Sequence, residues 1–499
     1  MEDIEPLIKP IRQEIVYKRR WWLLIAFAIS GFTQNIVWNT WGPIAQSAKE
    51  VFGWSDGQIG MFPNLGNIAF IFTVFLASYI MDEKGLRISV VICDALVLLA
   101  AGLRCITNIP KYASGLIYVS AVLNGIAGTA LFAGPSLLAS IWFPPNQRAT
   151  ATAISTFMAY AGFAVTFSIG PQLVSAPKYK TIVAQDISMF SGHSFNVVNG
   201  TTTPASNISH NHTVLLNLEQ LKDDIMRLMY YECGLAALVF IAVLIYFPDK
   251  PPSAPSYTAS VKRVDYLNAF CKLLTNGPLW LISLACAIPT GVYGAWGAVL
   301  DLILNPVGIS QMEAGWVGFY ATIAGGVSCV FVARFSDIFM KHMKLFLMCL
   351  FLCGGGAIVW FTLICTKVLA FFTVQLYTSS ILAGMFVNGG IALFYELCAE
   401  TSYPVAEGVT GAFLTILNST SGTVLLFVLQ IPGIGTSWVN WAVVGSIGAG
   451  LLCLIIFPER YGRTDLDIAI RSYTDMVIDV PGLTVDNPTT NQADGSHCE

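Results

Sequence analysis

Charge is what this chain has least of. Only 11% of its 499 residues are Asp, Glu, Lys or Arg, where a soluble chain carries about a quarter. With a mean hydropathy of +0.65, too little polar surface remains to cover a water-soluble fold, so the solvent has to be lipid. A net charge of −4 and the lack of any long basic run argue against a nucleic-acid partner. Histidine is scarce as well. His193, His210, His212, His342 and His497 all fall outside the apolar stretches, which argues against a histidine proton relay and leaves no axial ligand for haem inside the membrane. The cysteines form no CxxC pair and nearly all lie in or beside apolar runs, so they read as packing residues, with no metal or cofactor expected. A cleavable signal peptide is missing too. The first apolar run begins only at Trp21, after a charged segment, and is long enough to span, so it is expected to stay.

What is present is a series of apolar runs at helical length, near 21–45, 57–80, 88–108, 114–141, 149–173, 226–247, 278–303, 312–334, 344–366, 370–397, 408–432 and 437–457. They predict an all-α membrane protein. Two six-helix bundles, 21–247 and 278–458, are joined by a hydrophilic linker, 248–277, that contains Pro251, Pro252 and Pro255. Tails of 1–20 and 459–499 flank them. Lys18, Arg19, Arg20, Lys84, Arg87, Arg148, Lys250 and Lys344 all fall on one side, which predicts that both termini are cytosolic. The opposite side holds a long loop, 174–225, with glycosylation sequons at Asn199, Asn207 and Asn211. In the N-terminal tail, Asp3 stands four residues before the pair Leu7-Ile8. This acidic dileucine pattern is the kind that cytosolic sorting adaptors read, and it points to endosomes or lysosomes.

Several local patterns carry a family resemblance. Ser78-Tyr79-Ile80-Met81-Asp82-Glu83-Lys84-Gly85-Leu86-Arg87 resembles the gating-loop motif of the major facilitator superfamily, and Ala333-Arg334-Phe335-Ser336-Asp337 resembles a weakened copy after the eighth span. Gln34 to Ile44, Arg148 to Ala153, Val299 to Leu304 and Glu396 to Gly408 are similar to solute carrier family 49. The resemblance implies a lysosomal transporter of twelve helices, working by alternating access. It also implies relatives that move choline, ethanolamine or haem, and a member assigned proton-driven pyridoxine transport.

The few polar and ionisable residues within the spans are the candidate site. Gln34 and Trp38 share a face of the first helix and Asn39 lies on the adjacent one, while Tyr293 and Trp296 follow a helix-interrupting Pro289 on the seventh. The resemblance implies an amine bound between that first-helix Trp and a seventh-helix aromatic. Trp38 is read as a pocket wall, with an interfacial belt as the alternative. Tyr160 and Asn388 are further candidates, with interhelical hydrogen bonds as the competing reading. Coupling to protons then needs a carboxylate. Asp301, Glu396, Glu400 and, in the third span, Asp94 are the candidates for coupling or gating, together with Asp82 and Arg148 at the gating motif. For Glu396 and Glu400, gate pairing with a base such as Arg148 competes with proton coupling. The alternatives to proton-coupled pyridoxine transport are a choline, ethanolamine or haem transporter and a lysosomal nutrient sensor; an enzyme is not expected. The expected partners are a small solute, protons, the bilayer and sorting adaptors.

Overall fold

The computed structural model describes residues 17–143, 145–182, 212–252, 272–336, 342–403, 405, 407–431 and 433–461. Among the described residues, twelve helices are long and apolar enough to cross a membrane: Arg20–Trp38, Asp56–Met81, Leu86–Arg104, Pro110–Pro135, Thr150–Leu173, Leu218–Ile245, Gly277–Ala298, Gln311–Arg334, Met343–Cys365, Thr373–Ser402, Gly408–Leu429 and Val439–Ile456. These are spans 1 to 12. An even number of crossings brings the start of span 1 and the end of span 12 to the same end of the bundle, here the near end. The sorting residues Asp3, Leu7 and Ile8 and the sequons Asn199, Asn207 and Asn211 lie outside the described residues, and so do the side chains of Asp82 and Arg148.

Local signals in the sequence set several boundaries. Ser55 accepts from the amide of Gln58, whose side chain accepts from the amide of Ser55, and this reciprocal cap opens span 2. Asn276 caps span 7 by accepting from the amide of Leu279, with a proline in the first turn. The motif glycine Gly85, at a φ of 92°, makes the turn from span 2 to span 3. A Cβ at Gly85 would stand 2.4 Å from a carboxylate oxygen of Asp249, and that same carboxylate accepts from the amide of Arg87. The motif is thereby tied to the end of span 6.

The internal repeat shows in how the backbones touch. Span 4 meets span 2 where a Cβ at Gly125 would lie 2.3 Å from the carbonyl oxygen of Gly66, and span 10 meets span 8 in the same way at Gly384 and Ala321. Span 5 meets span 1 at Gly162 and Phe32, as span 11 meets span 7 at Gly291 and Asn418. Small residues let membrane helices approach at such points. The matching pairs identify two bundles of six built on one plan, the twelve-helix facilitator fold. Large apolar side chains such as Phe72, Leu238 and Ile245 face outward, as lipid requires.

The structure corrects some expected boundaries. The first run, expected over 21–45, ends as a helix at Trp38, and a short separate helix, Ala45–Phe52, follows it, closed by Gly53 at a φ of 70°. Span 7 ends at Ala298 and is followed by a separate helix, Leu300–Leu304. Span 10 divides at Gly390 into Thr373–Gly389 and Ile391–Ser402. In the last two cases hydropathy continues while the backbone turns, and apolar periodicity does not register a turn. The loop expected over 174–225 includes an antiparallel pair of short strands, Tyr179–Ile182 with His212–Leu215.

Candidate functional site

Between the bundles lies a cavity of about 530 Å³. It reaches from Trp38 and Leu300 toward the near ends of spans 4, 5, 10 and 11, at Ala139, Thr152, Ala399 and Thr410. At the far end the two bundles are held together. Gln46 donates to Asp301 through its side chain at 2.8 Å and through its backbone amide at 3.3 Å. The hydroxyl of Ser47 donates to Gln311 at 3.1 Å, and a Cβ at Gly42 would stand 2.3 Å from the carbonyl oxygen of Ala298. The structure is therefore closed at the far end, with its cavity extending to the near end.

The walls are aromatic and amide-bearing. Phe27, Gly31, Asn35 and Trp38 on span 1 line it at helical spacing, facing Tyr293 and Trp296 of span 7. Tyr160, Asn388, Tyr395 and Asn418 complete it. Tyr293 stacks on Trp296 with ring centroids 5.2 Å apart, and the indole of Trp296 donates to Asn440 at 2.7 Å. That bond anchors the span 7 aromatics in the second bundle. Asn418 donates to Thr290 at 2.6 Å across the contact between spans 7 and 11. Among the described lining residues Glu396 alone bears a formal charge.

Not every expected site residue reaches this cavity. Gln34 is fully buried between spans 1 and 4, donating to the carbonyl of Asn124 at 3.3 Å, while Asn124 donates back to the carbonyl of Gln34. The amide nitrogen is taken up by a neighbouring helix while Oε1 stays buried without a partner, and Asn35 takes the cavity position instead. Asn39 follows the last helical residue and so leaves the helical face; it donates to Thr166 at 2.8 Å. Asp301 lies at the far-end closure, away from the cavity, on the short helix beyond span 7. Burial there pushes its carboxyl up to about 7, against the hydrogen bonds from Gln46. Glu400 is buried one turn beyond the exposed Glu396.

One constellation went unread in the sequence. Arg104 and Glu232 form a buried ion pair at 3.4 Å inside the first bundle. Arg104 also donates to Ser120 at 2.7 Å and to the carbonyl of Val37 at 2.8 Å, while Thr40 donates to Glu232 at 2.8 Å. The available signal was Glu232 itself, an acid inside an apolar run. Asp94 is likewise buried and accepts from Ser30 at 2.9 Å.

Over 472 residues the chain is 37% identical to the solute carrier family 49 member 4 homolog of Xenopus tropicalis, covering 93% of this chain and 97% of that one. The chain belongs to solute carrier family 49. The homolog of Xenopus laevis gives the same identity over the same length, and the profile of the Major Facilitator Superfamily matches residues 9–186. More distantly, this family member is 24% identical over 446 residues to the choline/ethanolamine transporter FLVCR1 of Mus musculus, covering 88% of this chain and 73% of the relative. It is a multi-pass membrane transporter, and its cavity lies where facilitator-type carriers hold their solute, between the two halves.

Proposed function

We propose that this family 49 transporter carries a small organic cation or protonated pyridine, with pyridoxine as the leading solute, across the lysosomal membrane in exchange between two conformations and with protons. The observation that carries this reading is the make-up of the cavity: Trp38, Tyr160, Tyr293 and Tyr395 contribute aromatic side chains to a wall whose single described charge is Glu396. Aromatic faces attract a desolvated cation by about 0.5–2 kcal/mol each, and a carboxylate on the cavity wall adds negative charge that favours a cationic solute. The basic residues Lys84, Arg87, Lys250 and Lys344 at the near end support a cytosolic near face. On that reading the structure is the cytosol-facing state, and protons arrive from the lumen at Asp301. The N-terminal dileucine pattern supports the lysosomal address.

A second reading, choline or ethanolamine as the solute, is favoured by the likeness to the choline/ethanolamine transporters FLVCR1 and FLVCR2. The test uses cells bearing the Leu7→Ala/Ile8→Ala form directed to the surface. Uptake of labelled pyridoxine that rises at pH 5 over pH 7.5 and collapses in Trp38→Ala is expected. Choline uptake in its place selects the second reading. No uptake of either overturns the solute class, and surface exposure already present without the change overturns the address.

A further inference from the structure

The ring that faces the cavity is the last residue of its helix. Trp38 closes span 1 and Asn39 already departs from helical geometry, at a φ of −102° and a ψ of 17°. As the last helical residue it lacks neighbours at i+3 and i+4 on its own helix face. The ring must therefore be fixed from outside.

Two contacts do this. Behind the ring lies Gly66 of span 2, where a Cβ would stand 2.7 Å from Cη2 of Trp38, 2.9 Å from Cζ3 and 3.3 Å from Cζ2. The benzene portion of the indole thus rests on bare backbone. At the same residue span 2 is packed backbone to backbone on span 4, where a Cβ at Gly125 would stand 2.3 Å from the Gly66 carbonyl oxygen, which limits its freedom to shift. The second contact holds the backbone: Arg104 donates at 2.8 Å to the carbonyl of Val37, in the last turn, where carbonyls lack intrahelical partners. With the backbone pinned and the rear of the ring seated on a glycine, any side chain at position 66 drives the indole forward into the cavity.

We propose that Gly66 is a positioning residue for the solute site: its missing side chain sets the depth of Trp38 in the cavity, and so the width of the slot between Trp38 and the span 7 aromatics. This rests on the reading above, in which Trp38 touches the solute. The atoms at issue, Cη2, Cζ3 and Cζ2, are those that phenylalanine lacks, so Trp38→Phe should make room for a methyl at position 66.

The experiment is a double-variant cycle on the purified full chain in liposomes, with labelled pyridoxine and labelled choline as probes, reading KM, maximal rate and Tm for Gly66→Ala, Trp38→Phe, Trp38→Ala and Gly66→Ala/Trp38→Phe. Gly66→Ala is expected to raise KM tenfold or more, with less than threefold loss of maximal rate. In the Trp38→Phe background the same change should raise KM by less than twofold, with its Tm loss relieved in parallel. Equal KM effects in the two backgrounds overturn the proposal, because Gly66 then acts only through helix packing. So does a Gly66→Ala form that fails to assemble in both. If Trp38→Ala and Trp38→Phe alter KM but Gly66→Ala does not, this proposal alone falls. If neither Trp38 variant alters KM for either probe, the reading of the site falls first and takes this proposal with it.

Discussion

Arg104 and Glu232 meet 3.4 Å apart inside the first bundle, with both side chains almost wholly shielded. Each charge is further satisfied by neutral partners: Arg104 by Ser120 and the Val37 carbonyl, Glu232 by Thr40. The pair joins spans 3 and 6 to the end of span 1, just where the chain presents Trp38 to the cavity.

Breaking such a pair leaves a bare buried charge, at a cost of about 3–5 kcal/mol, whereas replacing both members with apolar groups is often neutral. Glu232→Leu should therefore lower Tm sharply in detergent, and Arg104→Met/Glu232→Leu should recover much of the loss. A double variant no more stable than the worse single one counts against the pair as a unit.

Asp301 predicts a pH dependence of the far-end closure. Its carboxyl is pushed up to about 7 by burial in the closed form, whereas a hydrated aspartate titrates near 4. The closed form therefore binds the proton more tightly. Its advantage is full below about pH 4 and is lost as pH rises through about 7. Lys49 and Asp56 act on the same carboxyl in opposite senses. Between pH 8 and pH 5, wild-type Tm should climb more steeply than that of Asp301→Asn; identical slopes remove Asp301 as the titrating group.

Gly42 should act as a far-end contact that tolerates no side chain, since its built Cβ meets the Ala298 backbone oxygen at 2.3 Å. Gly42→Ala is expected to hold the far end apart. Leu300→Cys, otherwise buried at 1% exposure, should then react severalfold faster with an impermeant thiol reagent applied from the far side. Unchanged labelling relative to the Leu300→Cys parent refutes this.

At the cavity mouth, Glu396→Gln should raise KM for choline by roughly tenfold, the equivalent of about 1.4 kcal/mol. Its effect on a neutral solute of the same size should be under twofold. A uniform effect on both assigns Glu396 to gating alone.

The sequence by itself determined that this chain lives in lipid and crosses it twelve times, because burying backbone in hydrocarbon demands helices of a set length. It also pointed to Trp38, Tyr293, Trp296 and Glu396, since polar or aromatic residues deep in apolar runs are costly unless they face one another or water. What periodicity leaves open is the rotation of a helix about its own axis. Gln34 and Asn35 are neighbours on span 1, and only the packing of span 4 sends Gln34 inward and leaves Asn35 to the cavity. Pairings between distant runs were also illegible: Arg104 with Glu232 is separated by 128 residues, and Gln46 with Asp301 by 255. The first contact exists only once spans 3 and 6 have packed within one bundle, and the second only once the two bundles have closed on each other. It is therefore the tertiary structure that decides which end is shut, where the carboxylates meet their partners, and why the ring of Trp38 lies on a glycine.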